Sequence, residues 1–249
     1  MSDHDALLRA IGEQPEEDTP RLMYADWLEE QGESDRADFV RNQVELGRCE
    51  SNGAERHRLV KKNVYYLTNF VRRWRDELPR IPGIEWGDFN RGLIEEVRAS
   101  HEAPVLAHAG EIFAVSGIHV LRLWQLSSAQ QLALTPELVR LRSIQLISGA
   151  PAAVLRELLD SPQLERLTTL DLHGSRGDNR LAILLASGRF PGLVELRLSS
   201  NQIGDHGAQA LAQSPHLDSM RALDLRNNPI TDHATRTALR RRFKSALKL

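Results

Sequence analysis

Several features that would place the chain in a common functional class are missing from its sequence. Its 249 residues include a single cysteine, Cys49, so no internal disulfide can form. No apolar run approaches the ~20 residues that a membrane-spanning helix requires. The start, MSDHDALLRA, is acidic and lacks the basic and apolar regions of a secretory signal. These absences predict a cytoplasmic protein.

Motifs that carry catalytic chemistry are also missing. The sequence has no G-x-S-x-G, no Walker A glycine loop, no H-E-x-x-H and no cysteine cluster. His206 and His233 occupy equivalent places 27 residues apart, but two histidines without further ligands make a poor metal site. Cys49 has no histidine beside it, which favours an inert thiol. The sequence therefore predicts a non-enzyme with no catalytic residue, no metal site and no cofactor.

The charge is unevenly distributed along an otherwise ordinary composition, which is 41% hydrophobic and 27% charged. Residues 1–48 hold 13 acidic and 5 basic residues, a balance of −8, so the rest of the chain carries +6 to reach the net charge of −2. An acidic segment repels phosphate backbones. We therefore expect no specific nucleic-acid binding.

A repeated spacing dominates the second half of the chain. The residues Leu196, Leu198, Asn201, Ile203 and Asp205 recur 27 positions later as Leu223, Leu225, Asn228, Ile230 and Asp232. Copies 26 residues apart precede them at 170/172 and 144/146, and weaker copies lie at 121/123 and 97/99. A fixed period of this length is typical of a solenoid, here with about six units.

Each unit reads as one strand followed by one helix. The L-x-L segment alternates with period two, which predicts a strand with its leucines inward. Asn201 and Asn228 follow the strand, where their amides can bind backbone groups that lack a ladder partner. Asp205 and Asp232 stand where a helix N-cap is expected. One unit cannot bury both faces alone, so the copies must stack.

The pattern L-x-x-L-x-L-x-x-N resembles the leucine-rich repeat, and GDHGAQALA after it is similar to the ribonuclease-inhibitor-like subclass. The resemblance implies an α/β horseshoe solenoid with a parallel sheet over residues 93–249. A last helix from about Asp232 to Leu249, rich in arginine, would cap it. The Asn position is held by Ser175, Gly149 and Leu126 in the upstream copies, which predicts an incomplete asparagine ladder.

A small all-α domain is predicted over residues 1–48. The segment PRLMYADWLEEQGESDRADFVRNQVEL, residues 20–46, closely resembles the repeat-companion domain found at the N-terminus of bacterial proteins that continue into leucine-rich repeats. The phrase F-x-R-G-L-I-E at 89–95 extends the resemblance. It implies this domain order and no catalytic residue. Asp26, in the first segment, is expected to pair with an arginine and fix the angle between helices.

Residues 49–92 are predicted to form one long basic helix, over 51–78, and a connecting loop that caps the repeats. The helix carries aromatic residues between its cations, a combination that can bind nucleic acid through positions 56–75. The alternative is an amphipathic helix with a solvated basic face beside the acidic domain. We favour the second interpretation.

Side chains that alternate with the inward leucines must face the hollow of the horseshoe. Among them, Trp124 beside Ile147 has the composition of a binding hot spot. The loop over 79–92 or an N-terminal helix could instead cover this patch. The predicted partner-binding residues are Arg122, Trp124, Gln145, Ile147, Asp171, His173, Arg197 and Asp224.

The function that these features favour is a non-catalytic protein- or peptide-binding scaffold, such as an adaptor, an inhibitor or an immunity-type protein. Two alternatives stay open. The concave face could present a peptide to a partner enzyme, or the basic helix over 56–75 could bind nucleic acid.

Overall fold

The computed structural model describes residues 3–50, 53–115, 117–188 and 190–249. The predicted segments also include positions 1, 2, 51, 52, 116 and 189, which lie outside the described residues. The chain divides into two compact units. Unit 1 comprises Met1–Ile81, Trp86–Glu96 and Glu111–His119, and unit 2 comprises Pro82–Glu85, Val97–Gly110 and Val120–Leu249. The predicted division at residues 48 and 92 stays a prediction.

Helices and strands follow one another along most of the chain. The α-helices are α1 (Asp3–Glu13), α2 (Thr19–Glu30), α3 (Ser34–Arg48), α4 (Ala54–Asn69), α5 (Val71–Asp76), α6 (Glu102–Ala107), α7 (Ala109–Ala114), α8 (Gln130–Leu134), α9 (Ala152–Leu159), α10 (Asn179–Ala186), α11 (Asp205–Gln213) and α12 (His233–Phe243). The strands are β1 (Ile84–Trp86), β2 (Phe89–Asn90), β3 (Leu93–Ile94), β4 (Glu96–Ala99), β5 (Val120–Leu123), β6 (Ser143–Leu146), β7 (Thr169–Asp171), β8 (Glu195–Arg197), β9 (Ala222–Asp224) and β10 (Leu247–Lys248). Short 3-10 turns cover Pro136–Arg140, Pro162–Leu164 and Lys244–Ala246.

Unit 1 packs α1, α2 and α3 around a core that includes Tyr24, Leu28 and Val44. The ring of Tyr24 stacks on that of Trp27 at 6.0 Å between centroids. The predicted pairing of Asp26 with an arginine is confirmed, because the Arg41 Nη2 atom of α3 lies 2.6 Å from its carboxylate on α2. Apolar packing and this ion pair together tie α2 to α3.

The glycine of the R-G-L-I phrase is required by close packing in unit 1. Gly92 has a positive φ of 90°, and a Cβ there would lie 2.5 Å from the Val40 Cγ2 atom. The residues that follow, Leu93 and Ile94, pair antiparallel with β2. Ile94 therefore belongs to a two-stranded sheet of unit 1. Any larger residue at position 92 would push this hairpin away from α3.

Two expectations for the middle of the chain are wrong. The helix predicted over 51–78 is divided at Phe70, where α4 ends and α5 begins. Phe70 leaves helical geometry with φ −125° and ψ −24°, and its ring stacks on Trp74 at 5.6 Å. The predicted loop over 79–92 contains strands β1 and β2, and Phe89 packs into the cluster of Phe39, Tyr66 and Trp74. The sequence pattern over 51–78 favours one continuous helix, but aromatic packing within unit 1 accompanies a break in it at Phe70.

A buried ion pair links two segments of unit 1 that are 74 residues apart in the sequence. The Arg21 guanidinium is fully buried and contacts the Glu95 carboxylate, whose side chain is 5% exposed. Burial is the largest influence on Arg21 and lowers its pKa, while the Glu95 charge opposes that shift. Arg21 also donates to the Pro15 carbonyl at 2.7 Å. A charge buried this deeply depends on its partner.

We expect Glu95→Ala to destabilise the protein by about 3–5 kcal/mol, because the Arg21 charge would stay buried without its partner. Asp26→Ala, which breaks the exposed pair with Arg41, should cost less than about 1 kcal/mol. Urea unfolding of both variants measures the difference. Equal losses would contradict the importance of the buried pair.

In unit 2 the strands from β5 onward pair in parallel in sequence order, and the complete sheet has the order β1-β4-β5-β6-β7-β8-β9-β10. Ile144 is in register with Leu121 and with Leu170, and the row continues through Leu196 and Leu223. Helices separate consecutive strands, as parallel pairing requires. The α/β architecture and the strand phase predicted from the leucine spacing are confirmed for these strands.

The leucines of the L-x-L segments form the interior of unit 2. The side chains of Leu170, Leu172, Leu196, Leu198 and Leu223 are all 0% exposed. Burying one leucine fully is worth about 1.5–3 kcal/mol relative to leaving it in water. Stacking of equivalent leucines is therefore the main apolar contribution to the stability of this unit.

Two asparagines satisfy the backbone where the strands end, as predicted. The Asn201 amide donates to the carbonyls of Leu172 and Leu198, each at 2.8 Å, and its oxygen accepts from the Gly177 N–H at 2.7 Å. Asn228 repeats the pattern, donating to the Leu198 carbonyl at 2.8 Å and accepting from the Ile203 N–H at 3.0 Å. Each amide thus bridges adjacent repeats, and it binds backbone groups that would otherwise be buried without partners.

The upstream repeats lack this asparagine, and close packing explains the glycine at one of the three positions. A Cβ on Gly149, whose φ is +77°, would lie 2.6 Å from the Ser175 Cα atom. The Ser175 hydroxyl is buried and has no hydrogen-bond partner in the described part of the chain. The Leu126 side chain is buried. At position 149 the backbone approaches too closely for an asparagine side chain, and the asparagine ladder is incomplete in these repeats.

One of the two predicted helix caps is correct. Asp232 is the N-cap of α12, and its carboxylate accepts from the Thr235 N–H at 2.6 Å. Asp205 is wrong as an N-cap, because Gly204 holds that position in α11. The Asp205 carboxylate instead accepts from the N–H groups of Thr231 and Asp232, both at 2.8 Å. The Asp205 side chain therefore binds the next repeat and does not cap its own helix.

The end of the chain departs from the predicted terminal helix. α12 stops at Phe243, and Lys244 takes a positive φ of 47°. Leu247 and Lys248 then form β10, which pairs in parallel with β9 at Leu223 and Asp224. The exposed edge that β9 would otherwise present is thereby covered.

We expect Leu198→Ala to lower the unfolding free energy by about 2–5 kcal/mol, since the side chain is fully buried in the stacked row. Leu134→Ala is the matched control, because that leucine is 73% exposed and should change stability by less than about 0.5 kcal/mol. Chemical denaturation compares the two. A loss below about 1 kcal/mol for Leu198→Ala would show that the inward face is assigned wrongly.

Candidate functional site

The strand register of unit 2 aligns one row of side chains on the sheet face opposite the buried leucines, here called the open face. The central row consists of Arg122, Gln145, Asp171, Arg197, Asp224 and Lys248. Adjacent parallel strands lie ~4.8 Å apart, so each member has the next one within reach of its side chain. Charges of opposite sign are neighbours along the second half of this row.

Two large apolar side chains stand on the same face near its first strands. Trp124 is 48% exposed and Ile147 is 42% exposed. Each follows a paired leucine, and the Ile147 N–H donates to the Leu123 carbonyl at 3.0 Å. The Trp124 N–H in turn donates to the Ala99 carbonyl at 3.1 Å. The backbone that presents both side chains is therefore fixed by inter-strand hydrogen bonds.

Trp124 also borders a cavity within unit 2. This cavity has a volume of about 440 Å³ and is lined by Gly83, Ile84, Glu85, Arg98, Ala99, Ser100 and Trp124. The Arg98 guanidinium lies 3.9 Å from the Glu85 carboxylate at its wall. An aromatic side chain beside a hollow of this size can hold an apolar group of a ligand.

Ion pairs and hydrogen bonds orient the polar members of the row. The Arg122 Nε–H donates to the Gln145 side-chain oxygen at 2.9 Å. The Arg197 guanidinium lies 3.3 Å from the Asp171 carboxylate and 2.8 Å from that of Glu195. Burial acts to lower the Arg197 pKa, but its bonds to the two carboxylates raise it overall. Arg197 is held in place before any ligand arrives.

A second cavity of about 350 Å³ lies at the C-terminal end of the row. Its charged and polar lining comprises Asp171, His173, Glu195, Arg197, Ser199, Asp224, Arg226 and Lys248. The Arg226 guanidinium binds the Asp224 carboxylate twice, at 2.6 Å and 3.0 Å. These bonds, together with the Arg226 N–H and the nearby Lys248, lower the pKa of Asp224. The cavity thus combines fixed charges of both signs.

All eight predicted residues lie on the open face, at two places on it. Arg122, Gln145, Trp124 and Ile147 stand together near β5 and β6. Asp171, His173, Arg197 and Asp224 line the C-terminal cavity, where the His173 ring nitrogen Nδ1 lies 2.9 Å from the Ser199 hydroxyl. Their role in binding stays a prediction.

Three residues that line the C-terminal cavity are not among the partner-binding residues predicted from the sequence. Glu195 and Arg226 lie two residues from Arg197 and Asp224 of the central row, and only the side-chain geometry shows that they bind these two residues. Lys248 lies on β10, and the sequence predicts a helix there because the arginines before it continue a helical pattern. The alternation of Leu247, Lys248 and Leu249 was the available signal.

Comparison with known proteins identifies the repeated unit. The family model described as "Leucine Rich repeat" matches residues 193–212 and 216–233. The chain contains leucine-rich repeats. Both matched segments include an L-x-L strand and the asparagine that binds the strand ends. No curated protein matches the chain.

Among solved structures, an internalin (inlF) from Listeria monocytogenes strain 4b F2365 matches with 17% sequence identity and a TM-score of 0.31. The match covers 55% of this chain and 48% of the internalin chain. The aligned part of this chain therefore spans about half of the internalin.

Across the described residues, no three His, Cys, Asp or Glu side chains come together as a metal site. No helix in the described part of the chain is long and apolar enough to span a membrane. The Asp171 and Asp224 carboxylates of the central row form ion pairs with Arg197 and Arg226, at 3.3 Å and 2.6 Å.

We expect Arg226→Met to raise the pKa of the Asp224 carboxyl, because its two side-chain hydrogen bonds are the largest cause of the present lowering. Lys248→Met should raise it by a smaller amount, since Lys248 acts on Asp224 through charge alone. Carbon-13 NMR titration of the carboxyl measures both shifts. A larger shift for Lys248→Met would contradict the assigned cause.

Proposed function

We propose that the protein is a non-catalytic scaffold that binds a protein or peptide on the open face of its leucine-rich repeats. The observation that carries this proposal is the exposure of Trp124 and Ile147, at 48% and 42%, on a face whose central row consists of polar side chains. Aromatic side chains surrounded by polar groups are enriched among residues that dominate binding energy.

The polar neighbours support the proposal because they are already ordered. Gln145 holds Arg122, and Asp171 and Glu195 hold Arg197. A partner that binds such side chains loses less free energy to their immobilisation than one that binds mobile arginines. The open face would therefore provide an apolar anchor near β5 and a row of oriented charges toward β10.

We also propose that the protein acts as an adaptor, an inhibitor or an immunity-type protein in the bacterial cytoplasm. In this proposal, a repeat-companion domain precedes about six coils of a ribonuclease-inhibitor-like horseshoe. The lone, half-buried Cys49 is consistent with a reducing compartment. If oxidising conditions change neither the mass nor the stability of the protein, Cys49 gives no support for a cytoplasmic location.

A role as an accessory that presents a peptide to a partner enzyme would use the same face and the same anchor. Nucleic-acid binding through positions 56–75 is less favoured, because unit 1 already uses four of the seven cations there. Arg56 binds the Cys49 carbonyl at 2.9 Å, and Arg58 binds Glu55 at 2.6 Å. Lys62 lies 3.5 Å from Asp38, and Arg75 donates to the Gly87 carbonyl at 2.5 Å.

To test the scaffold function, peptides selected from a displayed library on the intact protein would be measured against Trp124→Ala. We expect a loss of ~2 kcal/mol or more in binding with an unchanged melting temperature, because the indole supplies the desolvated anchor and is half exposed. Arg240→Ala, an exposed position on α12, is the control and should alter neither property.

Two results would count against this assignment. If Trp124→Ala unfolds the protein, the residue is part of the core and its exposure is misjudged. If selected peptides bind the variant and the original protein equally well, the open face near Trp124 is not the contact surface.

A further inference from the structure

The outward side of α4 in unit 1 carries an apolar stripe. Val60, Val64 and Leu67 occupy positions i, i+4 and i+7 of the helix, and they are 41%, 54% and 38% exposed. The other side of the helix is buried through Leu59 and Tyr66, at 1% and 4%. The stripe is therefore separate from the side chains that hold α4 in the fold. Exposed aliphatic residues at this spacing are typical of a helix that packs against another helix.

An aromatic side chain adjoins the stripe. Tyr65 is 54% exposed, and its ring meets that of Phe70 edge-on at 6.0 Å between centroids. The neighbouring ring restrains an otherwise exposed tyrosine. A restrained, exposed tyrosine can contribute contact area at low entropic cost.

The charges around the stripe are positive. Lys61 is exposed beside Val60 and Val64, and Arg72 and Arg73 are exposed on α5, five and six residues after Leu67 in the sequence. Glu55 is the one acidic residue in the sequence of α4, and the Arg58 guanidinium binds both of its oxygens, at 2.6 Å and 3.1 Å. A ligand that covers the stripe would therefore meet cations that α4 itself does not neutralise.

We propose that this stripe docks an amphipathic helix of a partner protein whose apolar residues are flanked by glutamate or aspartate. Apolar contact with Val60, Val64 and Leu67 would supply affinity, and acidic side chains beside Lys61, Arg72 and Arg73 would select and orient the partner. The surface lies in unit 1, and the proposal does not depend on the repeat face.

Other occupants fit these observations less well. A second copy of the chain would bring the cations of α4 against the same cations, which costs free energy. Nucleic acid matches the charge but gains nothing from three adjacent aliphatic side chains, since its recognition relies on phosphate contacts and stacking. An anionic membrane would require a broader apolar face with larger side chains than valine.

Two synthetic helical peptides provide the probe. Both carry leucines at i, i+3, i+4 and i+7 on an alanine background, and the flanking positions are glutamate in one peptide and lysine in the other. Fluorescence anisotropy with the full chain should show the glutamate peptide binding at least about tenfold more tightly than the lysine peptide. Lys61→Glu should reduce this preference.

Val64→Asp should abolish binding of the glutamate peptide, because a carboxylate would be placed in the centre of the stripe. Met23→Asp is the matched control, since Met23 is 55% exposed on α2 outside the stripe. It should leave the affinity unchanged. The melting temperatures of both variants confirm that any loss of binding is not a loss of folding.

Several outcomes would overturn the proposal. Equal binding of the two peptides, or binding of neither, would remove the acidic helix as the occupant. A dimer in sedimentation that Val64→Asp dissociates would make a second copy the occupant. Tighter binding to a single-stranded oligonucleotide, or to phosphatidylserine vesicles, that Val64→Asp reduces would assign the stripe to those ligands.

Discussion

The inward leucines of consecutive strands lose all contact with water only when the strands stack in one register. Leu170, Leu196 and Leu223 are paired directly with one another and are 0% exposed. A slip of one residue would turn every leucine outward and every charged neighbour inward, at a cost of several kcal/mol per strand. Register is therefore fixed by burial, and the asparagine bridges at the strand ends follow from it.

This register is also what creates the candidate binding face. Because the leucines are fixed, the residues between them must form a row on the opposite side, and unlike charges become neighbours from Asp171 to Lys248. The same ion pairs that neutralise the row hold its arginines in place. The exposed Trp124 stands beyond these pairs, at the β5 end of the face, where it lines a cavity together with Arg98 and Glu85. A stable core and an ordered polar face are two consequences of one constraint.

The sequence predicted features that depend on spacing and missed those that depend on three-dimensional contacts. The strand phase, the incomplete asparagine ladder and the capping role of Asp232 follow from local pattern, and the structure agrees with them. The break at Phe70 and the strand at Leu247 do not, because aromatic stacking and an unpaired sheet edge decide them. The pair of Arg21 and Glu95 joins segments too distant for any periodic argument. For the candidate site, the alternation of leucines with other residues predicts the central row. It does not predict which charged side chains of that face form ion pairs.

Amide hydrogen exchange at three positions tests the register and the row most directly. The N–H groups of Leu172, Leu198 and Leu225 donate to the next strand at Arg197, Asp224 and Lys248, over 2.9, 2.8 and 2.7 Å. If the strands stack as described, all three amides exchange slowly, by opening of the folded unit. If the Leu225 amide exchanges at the rate of an unprotected peptide while Leu198 stays protected, β10 does not pair with β9 and Lys248 does not belong to the row. Rapid exchange at all three positions would contradict the stacked sheet itself.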